Sequence, residues 1–352
     1  MRIGGFVLAI IIFSLIVIFH ELGHFLAAKA CDVKVNEFCL GLGPTIFSFG
    51  KGETKYSLKA LPFGGACMME GEDEENPDRE HSSGRAFYDK KCWQRILIVV
   101  MGPFFNFIMA YVLSVVLLSF MGVDKPILTE VIDGYAAQEA GMQAGDEIVK
   151  LNNYRVHFYS EVTIFMTFHA DEDVNVVYKR DGQFHSTTLT SKLDEATGRY
   201  LLGFIRSGER NKISFAEALG YGFGEMKYQI YATYKSLGML LTGAVGVEQM
   251  SGPVGIVSTI DDVYQESASS GAFYVLMNMI SISILLSANL GVMNLLPIPA
   301  LDGGRLVFLL IELIIRKRVP EKYESRIHLA GFMFLLAIMV LVMFNDVIKL
   351  FR

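Results

Sequence analysis

Four long apolar segments constrain this chain more than any other feature of its sequence. A helix needs about 20 mostly apolar residues to span the hydrocarbon core of a bilayer. The segments run from Ile3 to about Ala28, from Ile96 to Phe120, from Ala272 to Leu301, and from about Ile327 to Phe344. The second and third contain no charged residue. We therefore predict an α-helical polytopic membrane protein with four transmembrane helices.

The third apolar segment contains its own break. Pro297 and Pro299 interrupt it, and the apolar pattern resumes from Leu306 to Ile315. Proline lacks the N–H that a helix interior requires. Irregular backbone at membrane depth is tolerated only where it is buried in protein or lines a wet cavity. The third helix is therefore predicted to be broken at this Pro/Gly stretch, beside such a cavity.

Composition and cysteine placement narrow the class further. Charged residues make up 19% of the chain, below the roughly 25% of soluble domains. The formal net charge of −6 argues against a nucleic-acid partner, which requires a basic surface. All four cysteines lie between positions 31 and 92 without a C-x-x-C pair. Neither a disulfide framework nor a cysteine-type zinc site is expected, and free thiols indicate a reducing compartment.

The orientation in the membrane follows from basic residues in short loops. Five of them crowd the loop between the third and fourth segments: Arg316, Lys317, Arg318, Lys322 and Arg326. This loop is predicted to be cytoplasmic, and so is the cysteine-containing loop after the first segment. The first segment has no small-residue cleavage site, which predicts an uncleaved membrane helix. Four crossings then place both termini and the segment 122–208 outside the cytoplasm.

The segment 122–208 is the only one with the pattern of a soluble domain. Asp181-Gly182 predicts a hairpin turn between two strand-like runs. The strand-like runs are Ile127–Ile132, Glu147–Leu151, Val174–Tyr178 and Ser186–Leu189. An α+β domain inserted between the second and third membrane segments is therefore expected.

The motif His20-Glu21-Leu22-Gly23-His24 carries the chemistry. Positions i and i+4 of a helix share a face, so both imidazoles can hold one zinc ion, with the glutamate close enough to hold the attacking water. Ionisable residues within a membrane helix are expensive and normally functional. We therefore predict His20 and His24 as zinc ligands and Glu21 as the catalytic base. The alternative is a helix terminus with interfacial histidines.

Asp302 is the best candidate for the third ligand. It lies at the break, in Leu301-Asp302-Gly303-Gly304. One carboxylate beside two neutral histidines lowers the net charge of a bound Zn²⁺ site and eases its burial. Alone, Asp302 could equally cap the following helix, but the histidine motif favours metal ligation.

Two asparagines in apolar segments leave alternatives open. Asn294 stands eight residues before Asp302. It either bonds the substrate backbone or the developing oxyanion, or satisfies a carbonyl freed by the prolines. Asn106 is expected to serve helix packing through an interhelical hydrogen bond.

Together these residues resemble the site-2 protease family of intramembrane zinc metalloproteases, in its RseP-like bacterial branch. The resemblance covers almost the whole chain. It rests on the HELGH motif at 20–24, Pro62-Phe63-Gly64-Gly65, Gly102-Pro103 with Asn106, Ser251-Gly252-Pro253-Val254-Gly255, and the stretch from Asn294 to Leu301-Asp302-Gly303-Gly304.

The resemblance implies a role for each matched part. His20, His24 and Asp302 would bind Zn²⁺, Glu21 would be the base, and Asn294 would position substrate. Segment 55–69 is similar to the family's membrane-associated β loop, thought to hold substrate as an added strand through Gly64 and Gly65. Segment 122–208 resembles a single PDZ domain around 140–149, which would either bind peptides or exclude bulky substrates.

The expected domains follow from this assignment. Residues 1–121 and 272–352 would form the two halves of the protease core, 122–208 the extracytoplasmic PDZ-like domain, and 209–271 an amphipathic or surface helical linker. The expected location is a bacterial inner membrane, with the active site toward the cytoplasm. The resemblance implies regulated intramembrane proteolysis of anti-sigma factors or signal-peptide remnants, after a first cut by another protease. Two other functions fit the sequence less well. A non-catalytic membrane scaffold that gathers partners through the PDZ-like domain would not require the catalytic residues. A zinc transporter would show an inverted repeat of broken helices.

The predicted orientation can be tested by cysteine labelling. With the four native cysteines replaced by serine, Pro320→Cys should resist a membrane-impermeant maleimide in intact cells. Gln183→Cys, beside the predicted hairpin turn, should be labelled and serves as the positive control. Labelling at position 320 from outside would contradict the predicted topology.

Overall fold

The computed structural model describes residues 3–72, 84–170, 172–194, 199–206, 209–246 and 251–350. Within these ranges the chain is mostly helical, with a smaller share of strand. The helices are α1 (Ile3–Ala30), α2 (Cys92–Met121), α3 (Ala136–Glu139), α4 (Tyr159–Phe168), α5 (Phe215–Leu241), α6 (Pro253–Ala268), α7 (Ala272–Leu295), α8 (Asp302–Ile315) and α9 (Glu321–Leu350). The strands are β1 (Val35–Lys51), β2 (Thr54–Met69), β3 (Leu128–Val131), β4 (Glu147–Leu151), β5 (Tyr154–Arg155), β6 (Asp173–Arg180), β7 (Gln183–Thr190), β8 (Lys192–Asp194), β9 (Arg199–Leu201) and β10 (Phe204–Arg206).

The chain divides into two compact units. One, called here the membrane unit, combines Met1–Leu113 with Ser236–Arg352. The other, the inserted unit, is Ser114–Lys235. The finer division into domains at 122–208 and 209–271 stays a prediction, and residue 208 lies outside the described residues.

Four described helices are long and apolar enough to cross a membrane, which confirms the mostly helical architecture with four candidate spans. They are Gly4–Ala30, Cys92–Met121, Ala272–Leu295 and Tyr323–Lys349. Large apolar side chains stay exposed along them, for example Leu15 at 46% and Phe344 at 67%. Such surfaces are expensive in water and suit lipid.

The break predicted in the third apolar segment lies between the end of α7 and the start of α8. Here the chain folds back so closely that side chains would not fit. A Cβ atom on Gly303 would lie 2.0 Å from the carbonyl oxygen of Leu296. Ala300 adopts a left-handed conformation, with φ of 76°, and its N–H donates to His328 Nδ1 on α9 at 2.9 Å. Asp302 thereby begins α8 directly after the turn.

The β structure after α1 is larger than predicted. The β loop was predicted in segment 55–69, whereas β1 and β2 pair antiparallel from residue 35 to residue 69. The first part of β1, at 35–40, pairs both with 65–69 and with 55–58. Its later part pairs with 54–59 after a bend at Gly41 and Gly43, which both have positive φ. The signal in 35–51 was its aromatic and β-branched content, which favours strand.

The hairpin turn is anchored to α1 through charge. Glu53 bonds Arg85 Nη1 at 2.6 Å and Lys29 Nζ at 2.5 Å. These hydrogen bonds, first from Arg85 and then from Lys29, lower the pKa of Glu53 to about 2. Because the groups are exposed, they fix geometry more than they stabilise the fold.

In the inserted unit, four strands form a sheet in the order β5-β4-β6-β7, and β10 pairs with β3. The strands β3, β4, β6 and β7 coincide with the four predicted runs. Asp181 and Gly182 both have positive φ at the turn between β6 and β7, as a two-residue hairpin turn requires. Leu151, Val174 and Val176 are fully buried in its core.

Helix α6 lies in the segment 209–271, for which an amphipathic or surface helical linker was predicted. Ile260 on α6 is fully buried in a cluster that includes Ala9, Ile12 and Ile16 of α1. An apolar face of α6 is therefore covered within the membrane unit by the apolar first half of α1.

A buried carboxylate joins α9 to the start of α6. Asp346 is 3% exposed, and its two oxygens accept the N–H groups of Gly252 at 3.1 Å and Gly255 at 2.8 Å. The first N–H groups of a helix have no partner within it, and they carry partial positive charge. Gly252, at the N-cap of α6, has no side chain that could accept a hydrogen bond from the first turn. Asp346 therefore takes the place of an N-cap side chain.

Replacing Asp346 should loosen this contact in a graded way. Asp346→Leu removes both acceptors and should lower the free energy of unfolding by about 1–2 kcal/mol, the range of a lost helix cap. Asp346→Asn keeps one acceptor oxygen, so its free energy of unfolding should lie between those of wild type and Asp346→Leu. Thermal unfolding of the detergent-purified protein measures the order, with Asp262→Leu, a change to an exposed acid on α6, as the matched control. An Asp346→Leu variant as stable as wild type would rule out the capping role.

Candidate active site

The helical pitch of α1 brings two histidines together. His20 and His24 are 8% and 9% exposed, and their Nε2 atoms lie 3.3 Å apart. Their ring planes are nearly perpendicular, with centroids 4.8 Å apart. The residues are four apart, so they lie on one face of the helix. Both belong to the candidate span Gly4–Ala30.

The start of α8 delivers a carboxylate to the same point. Asp302 Oδ2 lies 3.2 Å from His20 Nε2 and 3.5 Å from His24 Nε2. The ligand atoms of all three residues lie within 4.8 Å of one another. The break between α7 and α8 makes this possible, because a continuous helix would carry the carboxylate past the histidines.

The three groups fit a divalent cation better than they fit one another. His24 Nδ1 faces the carbonyl oxygen of Ile98 at 2.8 Å. A carbonyl only accepts, so Nδ1 carries the proton and Nε2 presents a lone pair. Asp302 Oδ2 is buried without a hydrogen-bond partner. Lone pairs that converge in a largely buried place repel unless a proton or a cation lies between them, and one cation can serve all three at once.

The spacing and chemistry of the donors indicate zinc. Two histidines and one carboxylate are a ligand set of catalytic zinc sites, which leave a fourth position open. Ligands about 2.0–2.1 Å from a tetrahedral Zn²⁺ are separated by about 3.3 Å. The three separations here are 3.2, 3.3 and 3.5 Å. The residues that the structure brings together therefore fit this ion.

Glu21 stands beside the three ligands and is held from the strand side. The backbone of Cys67 lies close to its carboxylate. The approach of β2 to α1 is close, since a Cβ on Gly65 would lie 3.2 Å from Glu21 Cγ and 3.0 Å from Val17 Cγ1. The carboxylate is thus oriented next to the converging ligand atoms.

A cavity of about 400 Å³ opens at this point. Its wall contains the three metal-ligand candidates, Glu21 and the last part of β2, residues 65–69. It is lined by His20, Glu21, His24, Ile98, Val99 and Asp302, by residues 65–69, and by Lys59, Glu72 and Arg305. Charged and apolar groups therefore meet in one space that is large enough for water, as hydrolysis beside a membrane requires.

An ion pair that the sequence analysis did not predict also lines the cavity. Arg305, three residues after Asp302, pairs with the carboxylate of Glu72, and its Nη2 donates to the Glu72 carbonyl at 3.2 Å. The guanidinium lies 5.4 Å from the centre of the Phe87 ring. The arginine after the two glycines was the available signal, but its partner is 233 residues away.

Of the remaining predicted site residues, one lines the cavity and two are not part of its described lining. Gly65 lines the cavity. Gly64 has a positive φ of 80° and faces Leu42. Asn294 occupies the last turn of α7 and is half-buried. Neither Gly64 nor Asn294 belongs to the cavity lining among the described residues, so their proposed contact with substrate stays a prediction.

Asn106 lies nearer to the site than its predicted role in helix packing required. It is fully buried, and its side-chain amide is 3.2 Å from His20 Nδ1. Its backbone carbonyl accepts the hydroxyl of Ser287 on α7 at 2.8 Å. The interhelical hydrogen bond was expected, but the contact with a metal-ligand candidate was not.

Comparison with known proteins gives a consistent result. The profile of peptidase family M50 matches residues 8–338. A relative from Clostridium acetobutylicum is 36% identical over 348 residues, which cover 99% of this chain and 98% of the relative. Its own name, zinc metalloprotease, is assigned by inference. The zinc metalloprotease RasP of Bacillus licheniformis is 32% identical, over 97% of this chain and 98% of its own.

One solved structure was also similar in part. It is the PDZ domain of an SdrC-like protein from Listeria monocytogenes, which is 20% identical. The match covers 25% of this chain and 90% of that domain, with a TM-score of 0.20. The PDZ-like character of the inserted unit stays a prediction.

Metal analysis can test the three ligands directly. Wild type should carry stoichiometric zinc by elemental analysis after purification, and His24→Ala and Asp302→Ala should lose it, because each removes one of three donors. Glu21→Gln should keep zinc and serves as the control, since it changes the same cavity without removing a ligand. Full zinc in Asp302→Ala would contradict the assignment.

Proposed function

Because the chain belongs to peptidase family M50, the site-2 protease family of zinc metalloproteases, we propose that it cuts transmembrane segments of membrane proteins in regulated intramembrane proteolysis. The observation that carries the proposal is the convergence of His20, His24 and Asp302 beside Glu21. The histidines and Glu21 belong to a candidate membrane span.

The proposed chemistry divides between the metal and the chain. His20, His24 and Asp302 would hold Zn²⁺, which when bound supplies Lewis acidity and lowers the pKa of a water to about 7. Glu21 accepts the proton of the attacking water and passes it to the leaving amide nitrogen. The close approach of β2 at Gly65 would keep the Glu21 carboxylate beside the ligands.

The last strand segment of β2 supports a way to hold substrate. Residues 65–69 line the cavity, and among the described residues they pair only with 35–40 of β1. The segment also lies against Glu21, since a Cβ on Gly65 would be 3.2 Å from Glu21 Cγ, so its edge away from β1 would face the site. An extended substrate can add to such an edge by main-chain hydrogen bonds. Gly64 and Gly65 would shape this edge, and Asn294 would position the peptide from α7.

The substrates and their origin are proposed at the level of class. Anti-sigma-factor-like proteins or signal-peptide remnants would arrive after another protease removes their outer domain. The inserted unit would act as a PDZ-like filter against bulky outer domains, or would bind peptides. The relatives are bacterial, which supports a bacterial cytoplasmic membrane. The basic loop between α8 and α9 supports an active site toward the cytoplasm, with the inserted unit and both termini outside.

Removing the proposed base should abolish turnover but not folding. Glu21→Gln should cut a membrane-spanning test substrate about 10²–10⁴-fold more slowly, the contribution of general acid–base catalysis. Cleavage in proteoliposomes, followed on gels, measures this. Glu130→Gln, the same chemical change on exposed β3, should cleave at the wild-type rate.

Cleavage by Glu21→Gln at the wild-type rate would refute the proposed mechanism. The same variant can identify substrates in the cell. Truncated membrane proteins that accumulate in Glu21→Gln cells, compared with wild type by membrane proteomics, would be the products of the first cut.

A further inference from the structure

Helix α2 contributes none of the three proposed ligands, yet it lies against both histidines. A Cβ on Gly102 would be 2.2 Å from His24 Nε2, and a Cβ on Gly23 would be 2.1 Å from the carbonyl oxygen of Met101. The backbones of α1 and α2 therefore touch beside the metal-ligand candidates. Only residues without side chains allow this crossing.

The closeness of α2 decides which nitrogen of His24 carries its proton. The carbonyl oxygen of Ile98 accepts from His24 Nδ1 at 2.8 Å, so Nε2 keeps its lone pair. Backbone of α2 thus serves as the outer partner of His24.

Within the described residues, Nδ1 of His20 faces a side chain and not a carbonyl. The atom placed there is Nδ2 of the Asn106 amide, 3.2 Å from Nδ1, and the carboxamide oxygen takes that position when the amide is turned over. The two amide orientations of an asparagine have nearly the same shape, and only one presents an acceptor. With Nδ2 toward the ring, the proton of His20 would sit on Nε2 and point at Asp302, where a metal could not bind. With Oδ1 toward the ring, the proton sits on Nδ1 and Nε2 is free.

Asn106 is held where this hydrogen bond needs it. Its backbone carbonyl accepts Ser287 Oγ at 2.8 Å, and a Cβ on Gly291 would be 2.6 Å from the Phe107 ring. Helices α2 and α7 are therefore locked at this level. The residue is fully buried, so water does not compete for the imidazole.

We propose that Asn106 is a positioning residue of the metal centre, whose side-chain oxygen accepts the Nδ1–H of His20 and keeps Nε2 unprotonated and aimed at the cation. The inference rests on the proposed metal site. Outer partners of this kind orient the ring and raise its basicity, and their loss typically costs 10–100-fold in metal affinity.

Zinc affinity, measured without any substrate, tests the proposal. The full-length protein in detergent is stripped of metal and titrated with Zn²⁺ against a chromophoric chelator. Asn106→Leu, which has a similar volume but no acceptor, should bind zinc about 10–100-fold more weakly. Asn106→Asp restores an acceptor and should bind within about threefold of wild type. Ser283→Ala removes a buried hydroxyl of α7 that bonds the Met279 carbonyl and not Asn106, and it should bind zinc like wild type.

The outcomes separate a positioning role from a structural one. Thermal unfolding of the metal-free proteins should be alike for wild type and Asn106→Leu, because the role concerns the ion. Unchanged affinity in Asn106→Leu would overturn the proposal, as would equal weakening in Asn106→Asp and Asn106→Leu. If His20→Ala still binds zinc like wild type, the metal site itself fails. If His20→Ala loses zinc while Asn106→Leu does not, only the role of Asn106 fails.

Discussion

The structure depends on the convergence of three electron-pair donors at one largely buried point. His20, His24 and Asp302 bring their donor atoms to 3.2–3.5 Å from one another, with one carboxylate oxygen otherwise unpartnered. A bound divalent cation would neutralise this arrangement. The helix break, the glycine-mediated contacts and the approach of β2 each make this convergence possible.

Close backbone approach recurs around the site. Gly303 allows the chain between α7 and α8 to fold onto itself, and Gly102 leaves room for the His24 ring. Polar atoms freed or presented by these contacts find partners nearby, as the Ile98 carbonyl does with His24 Nδ1. At membrane depth, irregular backbone persists only when it is satisfied in this way. The same contacts that build the fold therefore orient the ligands.

In the proposed function, the β hairpin would bind an extended substrate. A membrane-spanning substrate is helical, and its peptide bonds are shielded until the helix unwinds. Segment 65–69 lines the cavity beside Glu21, the proposed base, so unwinding and presentation would occur together. The ion pair of Arg305 and Glu72 lies on the wall of the same cavity. Its charge lies where a peptide entering the cavity would meet it.

Local patterns in the sequence were enough to predict most elements and the chemistry, whereas the folded chain was needed to show which distant residues meet. Apolar length predicted the four candidate spans, and the i, i+4 spacing of His20 and His24 predicted a shared ligand face, because both signals are local. Asp302 was predicted only by combining its helix break with that motif.

Three contacts could not be read from the chain. They are the pairing of 35–40 with two parts of β2, the ion pair of Arg305 with Glu72, and the contact of Asn106 with His20. Each joins residues that are separated in sequence, and no local periodicity encodes which of many polar side chains will come within hydrogen-bonding distance of another. Packing of the helices and the hairpin decides these partners, because it sets the distances between elements that the sequence specifies only one at a time.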